Sequence, residues 1–201
     1  QIAVNPIPHP ESGTVDIEYT VVEKPSDQLE LSAGYGGQGY GILASVGIVL
    51  NNWSTKQMFE KGAWRPYPSG DGQKVSFRIN TTGRLYQAFN IGFVEPWFLG
   101  KKPNSFSMSL TRTQLGYNVS GTTYDEIEGN FVANGASVGY GIRLKWPDDY
   151  FRGDWTVKFQ KTDVLNGDDY YREGITSQFS IRQIISRSSV FEPVFPTQGT
   201  R

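Results

Sequence analysis

The sequence predicts an all-β fold, a transmembrane antiparallel up-and-down β-barrel, and three observations predict it. About eight segments of roughly ten residues alternate apolar and polar side chains with period two, the mark of strands with one apolar and one polar face. The Trp residues gather at alternate connections between those segments. The faces opposite the apolar ones carry Arg78, Arg143, Lys145, Lys158 and Arg182. A soluble sandwich rarely buries such a basic row, whereas a water-filled lumen accepts it.

The most informative segments lie between Gly83 and Leu110. Leu85, Phe89, Ile91 and Phe93 fall on one face of an extended chain, with Tyr86, Ala88, Asn90 and Gly92 on the other. Phe106, Met108 and Leu110 then alternate with Ser105, Ser107, Ser109 and Thr111. Between them Pro96 and Pro103 deny ladder donors, and Gly100 and Asn104 suit turn geometry.

The other elements follow in order. Gln1–Ser12, with Pro6, Pro8 and Pro10, reads as irregular. Val15, Ile17, Tyr19 and Val21 mark a short strand, closed by Glu23-Lys24-Pro25-Ser26, which reads as a linker. Leu29, Leu31, Ala33 and Tyr35 open the repeated strands, against Glu30, Ser32, Gly34 and Gly36. After a glycine-rich turn come Ile42, Ala44, Val46 and Ile48. A long connection, Asn51–Gln73, leads to Val75, Phe77 and Ile79. Beyond the central pair, a polar loop from Tyr117 to Asn134 precedes Val138, Tyr140, Ile142 and Leu144. Trp155, Val157 and Phe159 form the next strand, and Phe179, Ile181 and Ile185 the last. Phe106, Met108, Leu110, Val138, Ile142, Leu144, Val157 and Phe159 are expected to face lipid.

All five Trp lie in or beside one set of connections: Trp53, Trp64, Trp97, Trp146 and Trp155. The other set has Tyr instead. Trp53, Trp97, Trp146 and Trp155 are the expected membrane-interface aromatics, because an amphipathic ring settles at the headgroup level.

Composition excludes several classes. No apolar run approaches the roughly 18 residues of a helical membrane span. A net charge of -1 offers no field for nucleic acid. Cys is absent, so there is no disulfide scaffold and no Cys-ligated metal. His9 is the only histidine, which leaves a Ser-His-Asp triad or a His metal site almost nothing to work with. Asp148-Asp149 and Asp168-Asp169 sit in turns and read as solvated loop carboxylates. Gly34-Tyr-Gly36-Gly-Gln-Gly39 matches a dinucleotide fingerprint, but a strand follows where that site needs a helix. No catalytic residues, metal ligands or cofactor are expected.

Several stretches resemble the BamA family of outer-membrane protein assembly factors, in the family's order. Val15–Glu23 resembles the last strand of the final POTRA domain, and Leu29–Gly36 the first barrel strand. Asn51-Asn52-Trp53 resembles the end of the second strand. Phe93-Val94-Glu95-Pro96-Trp97-Phe98 with Gly100-Lys101-Lys102-Pro103 resembles the turn after the fourth. Phe195–Arg201 resembles the segment before the ninth. The resemblance implies residues 1–25 as the end of the last POTRA domain and linker. It implies 26–201 as the N-terminal half of a barrel of about sixteen strands.

It also implies a Gram-negative outer membrane, with the POTRA side in the periplasm. The implied function is folding and inserting client barrels by strand pairing at a lateral gate formed by Leu29, Glu30, Leu31, Ser32, Ala33, Gly34, Tyr35 and Gly36. The implied partners are unfolded outer-membrane clients, accessory assembly lipoproteins, the lipid bilayer and the missing C-terminal half of the barrel. Three other readings stay open: a porin or transporter barrel, a protein-secreting relative of the family, and a soluble β-rich binding module.

Overall fold

A computed structural model of the chain describes residues 2–9, 11, 13–21, 26–35, 41–83, 85–100, 102–117, 129–166, 172–190 and 199. The glycine-rich turn after Tyr35, most of the 117–134 loop, Asp168-Asp169 and nearly all of the 195–201 motif lie outside the described residues. Among those described are ten strands, one 3₁₀ turn (Gln57–Phe59) and no α-helix.

Strands β1 (Ile2–His9) and β2 (Thr14–Val21) form an antiparallel pair. The other eight make one antiparallel sheet in chain order. They are β3 (Gln28–Tyr35), β4 (Ile42–Trp53), β5 (Gln73–Thr82), β6 (Tyr86–Glu95), β7 (Ser105–Tyr117), β8 (Gly129–Arg143), β9 (Phe151–Leu165) and β10 (Gly174–Arg187). Every neighbour follows its predecessor directly, so the sheet is a meander.

Residues paired in antiparallel register share a face. The register therefore carries Leu29 to Ile48, Phe77, Ile91, Leu110, Ala136, Phe159 and Phe179 across all eight strands. Two residues along, Met108, Val138, Val157 and Ile181 form a parallel row. One continuous face is thus apolar, and it stays open: Leu29, Ile91, Leu110, Val138, Phe159, Phe179 and Ile181 are all exposed. Among the described hydrophobic residues only Val49, Ala133 and Val164 are buried. This sheet has no soluble-protein core.

The opposite face is polar and finely fitted. A Cβ on Gly92 would stand 2.6 Å from Ser76 Oγ, and one on Gly135 would stand 2.6 Å from Thr111 Oγ1. Glycine on one strand makes room for the hydroxyl of the next. Arg78, Arg143, Lys158 and Arg182 all lie on this face in register.

Four expectations need correction. Ile2–His9 is a strand, not an irregular segment. Pro6 and Pro8 are two residues apart, so their nitrogens point to the same edge, and a two-stranded sheet leaves one edge free of ladder bonds. Strand β8 begins at Gly129, inside the expected polar loop, because its first residues pair with β7 and β9 on both sides. Strand β4 runs on to Trp53, past a register shift after Leu50. Leu144 and Lys145 lie beyond the end of β8, where the Leu144 amide donates to the Phe151 carbonyl at 2.9 Å. The middle of the apolar face is the Met108–Val138–Val157 row instead.

Candidate functional site at the β3 edge

Strand β3 pairs with β4 alone, so one side of its backbone is unpaired among the described residues. Among the described residues it is the shortest strand of the sheet, 8 residues against 14 in β10 at the other edge. All eight residues are exposed. Leu29, Leu31, Ala33 and Tyr35 continue the apolar face, while Glu30, Ser32 and Gly34 continue the polar one. Gly36, the last residue expected in this site, lies outside the described residues.

The attachment of β3 is uneven along its length. At its start, Asp27 Oδ1 accepts the Asn51 amide at 3.0 Å, and Asp27 Oδ2 accepts the Tyr67 hydroxyl. The Asn51 side-chain amide also donates to the Ser26 carbonyl. Three residues further on, Arg78 Nη2 of β5 donates to Glu30 Oε2 at 2.8 Å. The two side chains meet over Gly47 of β4, which stands in register between them. A Cβ there would lie 3.1 Å from Glu30 Oε2 and 3.5 Å from Arg78 Nε. Beyond Glu30 no side-chain clasp holds β3 among the described residues. Sequence reasoning missed Asp27, Asn51, Tyr67 and Gly47. Glu30 as the lone charge of the strand and Arg78 in the basic row were visible, but not their meeting.

The other edge is better secured. Arg187, the last residue of β10, donates to Asp148 Oδ2 at 3.0 Å. Its guanidinium also lies over the Tyr150 and Phe151 rings, at 5.6 and 5.8 Å.

Antiparallel alternation brings the ends of β4, β6 and β8 to the same end of the sheet as the starts of β3, β5, β7 and β9. Trp53, Trp64, Trp97, Trp146 and Trp155 all lie there. Trp53 stacks on Tyr67 at 6.0 Å and meets Trp64 edge-on at 5.8 Å. Phe98 stacks on Phe106 at 4.9 Å. Trp146 and Trp97 are exposed. Under this aromatic end the 54–72 connection is tied by polar bonds. The fully buried Ser54 donates to Asp71 Oδ2 at 2.7 Å, and Gln73 Nε2 donates to Glu95 Oε2 at 2.7 Å. The Ser54 hydroxyl, and after it the Lys56 ammonium, holds the Asp71 carboxyl below its ordinary value, with burial opposing.

Among the described residues no three His, Asp or Glu side chains gather where a metal could bind. His9 Nε2 donates to Asp16 Oδ2 at 2.9 Å on the exposed β1–β2 pair. Among the described residues no helix is long and apolar enough to cross a membrane, which has no bearing on strands.

An exposed apolar face backed by a polar one is what a strand-built membrane wall presents. The model of the Omp85 superfamily domain matches residues 69–201. The chain belongs to the Omp85 superfamily. Its eight-stranded sheet is a stretch of outer-membrane β-barrel. Among solved structures it is similar to BamA from Haemophilus ducreyi lacking POTRA domains 1–3, with a TM-score of 0.56 and 15% sequence identity. That likeness covers 98% of this chain and 36% of the other, so this Omp85 chain spans about a third of the solved one. No curated protein matches it.

Proposed function

We propose that this Omp85 chain belongs to an outer-membrane protein assembly factor, and that incoming client strands pair along β3. The observation that carries the reading is the β3 edge itself. Among the described residues it is exposed and unpaired on one side, it has no proline, and its one charge, Glu30, is taken up by Arg78 of β5. Natural sheets protect such edges unless joining a strand is their task. A client strand would take up the free N–H and C=O groups of Leu29–Tyr35 and match its apolar face to Leu29, Leu31, Ala33 and Tyr35, which is β-augmentation. No covalent chemistry and no cofactor are needed.

Further parts of the reading rest on the family and on the solved relative. A likeness covering 98% of the chain takes in β1–β2, which supports reading this pair as the end of a POTRA domain in the periplasm. The rest of the barrel, accessory lipoproteins and unfolded barrel clients complete the assembly. The test is cysteine crosslinking from Ser32 and Gly34 to a client stalled during assembly. Crosslinks to the client's terminal strand are expected. Crosslinks absent from β3 but formed from the β10 edge would move the site across the barrel.

A further inference from the structure

On the apolar face, towards the end of the strands away from the Trp residues, lies a shallow trough of about 500 Å³. That is within the usual size of a small-ligand site. Its walls are Ile91 and Leu110 on one side and Phe159 on the other, with Ala136 as its floor. The floor is low because alanine stands in register between leucine and phenylalanine. At the upper end, Arg112, Asn134 and Lys161 stand in register on β7, β8 and β9, and so on the same face. Arg112 Nη1 donates to Asn134 Oδ1 at 3.1 Å.

The two cations are in an unusual place. Neither has a carboxylate partner among the described residues. Asp163 stands one row further out and makes no ion pair with Lys161. Arg112 and Lys161 are each six residues beyond the aromatic row of Phe106, Tyr140 and Trp155. That is roughly 20 Å along the strand and about 15 Å in height at ordinary barrel tilt, less than the roughly 25 Å of an apolar band. Uncompensated cations on the lipid face at that depth are costly, and an anion lowers the cost.

We infer that this trough binds a phosphorylated lipid of the leaflet opposite the Trp end. Its phosphate lies between the Arg112 and Lys161 cations, with Asn134 orienting the guanidinium, and one acyl chain runs down the trough over Ala136. Arginine and lysine together suit a phosphate, one as a fork and the other as a point charge. A zwitterionic lipid fills the apolar part but brings its own cation to a site that already holds two. The surface spans β6 to β9 and is separate from the β3 edge, so its fate does not depend on strand pairing there.

The test uses the intact protein in phosphatidylcholine vesicles, with a single cysteine at Val138 carrying a fluorophore one row below the trough. The probes are phosphatidic acid and phosphatidylcholine with brominated acyl chains, and inorganic phosphate as competitor. Brominated phosphatidic acid is expected to quench at a mole fraction on the order of tenfold lower than brominated phosphatidylcholine. Arg112→Gln with Lys161→Gln should abolish that preference, and Arg112→Lys should retain most of it. Free phosphate should not compete, because it lacks the chain. Equal quenching by the two lipids in the unaltered protein overturns the inference, and that comparison does not depend on how the variants fold. Preference surviving in the double variant, or displacement by free phosphate, overturns it as well.

Discussion

Glu30 and Arg78 show how one residue pair can set the readiness of an edge. Each is about half exposed, so the ion pair contributes only about 0.2–1 kcal/mol. On a strand of eight residues with one partner that is enough to bias opening. Glu30→Gln is expected to raise the rate of amide exchange at Leu31 to Ala33 by up to about fivefold, leaving β5–β9 unchanged. Unaltered exchange at those amides would mean that Gly47 alone, and not the pair above it, governs β3. Asp71 offers a second residue-scale test. Its carboxyl is held below the ordinary value, so the folded turn favours the ionised form. Its contribution is complete above the ordinary carboxylate range and is lost as pH falls through the lowered value. Protease nicking of the 54–72 connection should therefore rise as the pH drops below about 4. Ser54→Ala should shift that rise to higher pH, since the hydroxyl is the main cause of the lowering.

At the scale of the element, β3 differs from its neighbours in how it can be broken. Successive residues of a strand point their N–H groups to opposite edges. Of Leu31→Pro and Ser32→Pro, one removes a donor facing β4 and the other a donor facing the open side. The first should detach β3. The second should leave β3–β10 folded and abolish assembly of client barrels. Normal assembly by both variants would exclude strand pairing at β3. Strands were legible wherever alternation was clean, as in Phe106–Leu110 or Val157–Phe159. β1 was hidden because Pro6 and Pro8 read locally as breakers, and only the free side of a paired strand accommodates them. The start of β8 was hidden because Gly129 and Asn130 have little strand preference of their own and are held by two neighbours. The clasps by Asp27 and the Ser54–Asp71 bond join residues far apart in sequence with no periodic signal, so nothing short of the fold reveals them.

For the whole molecule the open question is which way the sheet runs through the membrane. Strand β3 begins beside the end of β4, with Gln28 opposite Val49, and so starts at the Trp end. β1–β2 precedes it in the chain and therefore joins the sheet at that same end. If this pair belongs to a periplasmic domain, the aromatic end is periplasmic and β3 runs outward. The far end of β9 then faces the outside, and the 54–72 connection faces the periplasm. A cysteine at Asn166, exposed at the far end of β9, should react on intact cells with an impermeant thiol reagent. One at Ser69, exposed beside Trp53, should react only after the outer membrane is opened. The chain has no native cysteine to confuse the readout. The reverse pattern would put β1–β2 outside the cell and refute both this topology and the periplasmic assignment of the pair. It would also turn the phosphorylated-lipid site towards the inner leaflet, while leaving its chemistry intact.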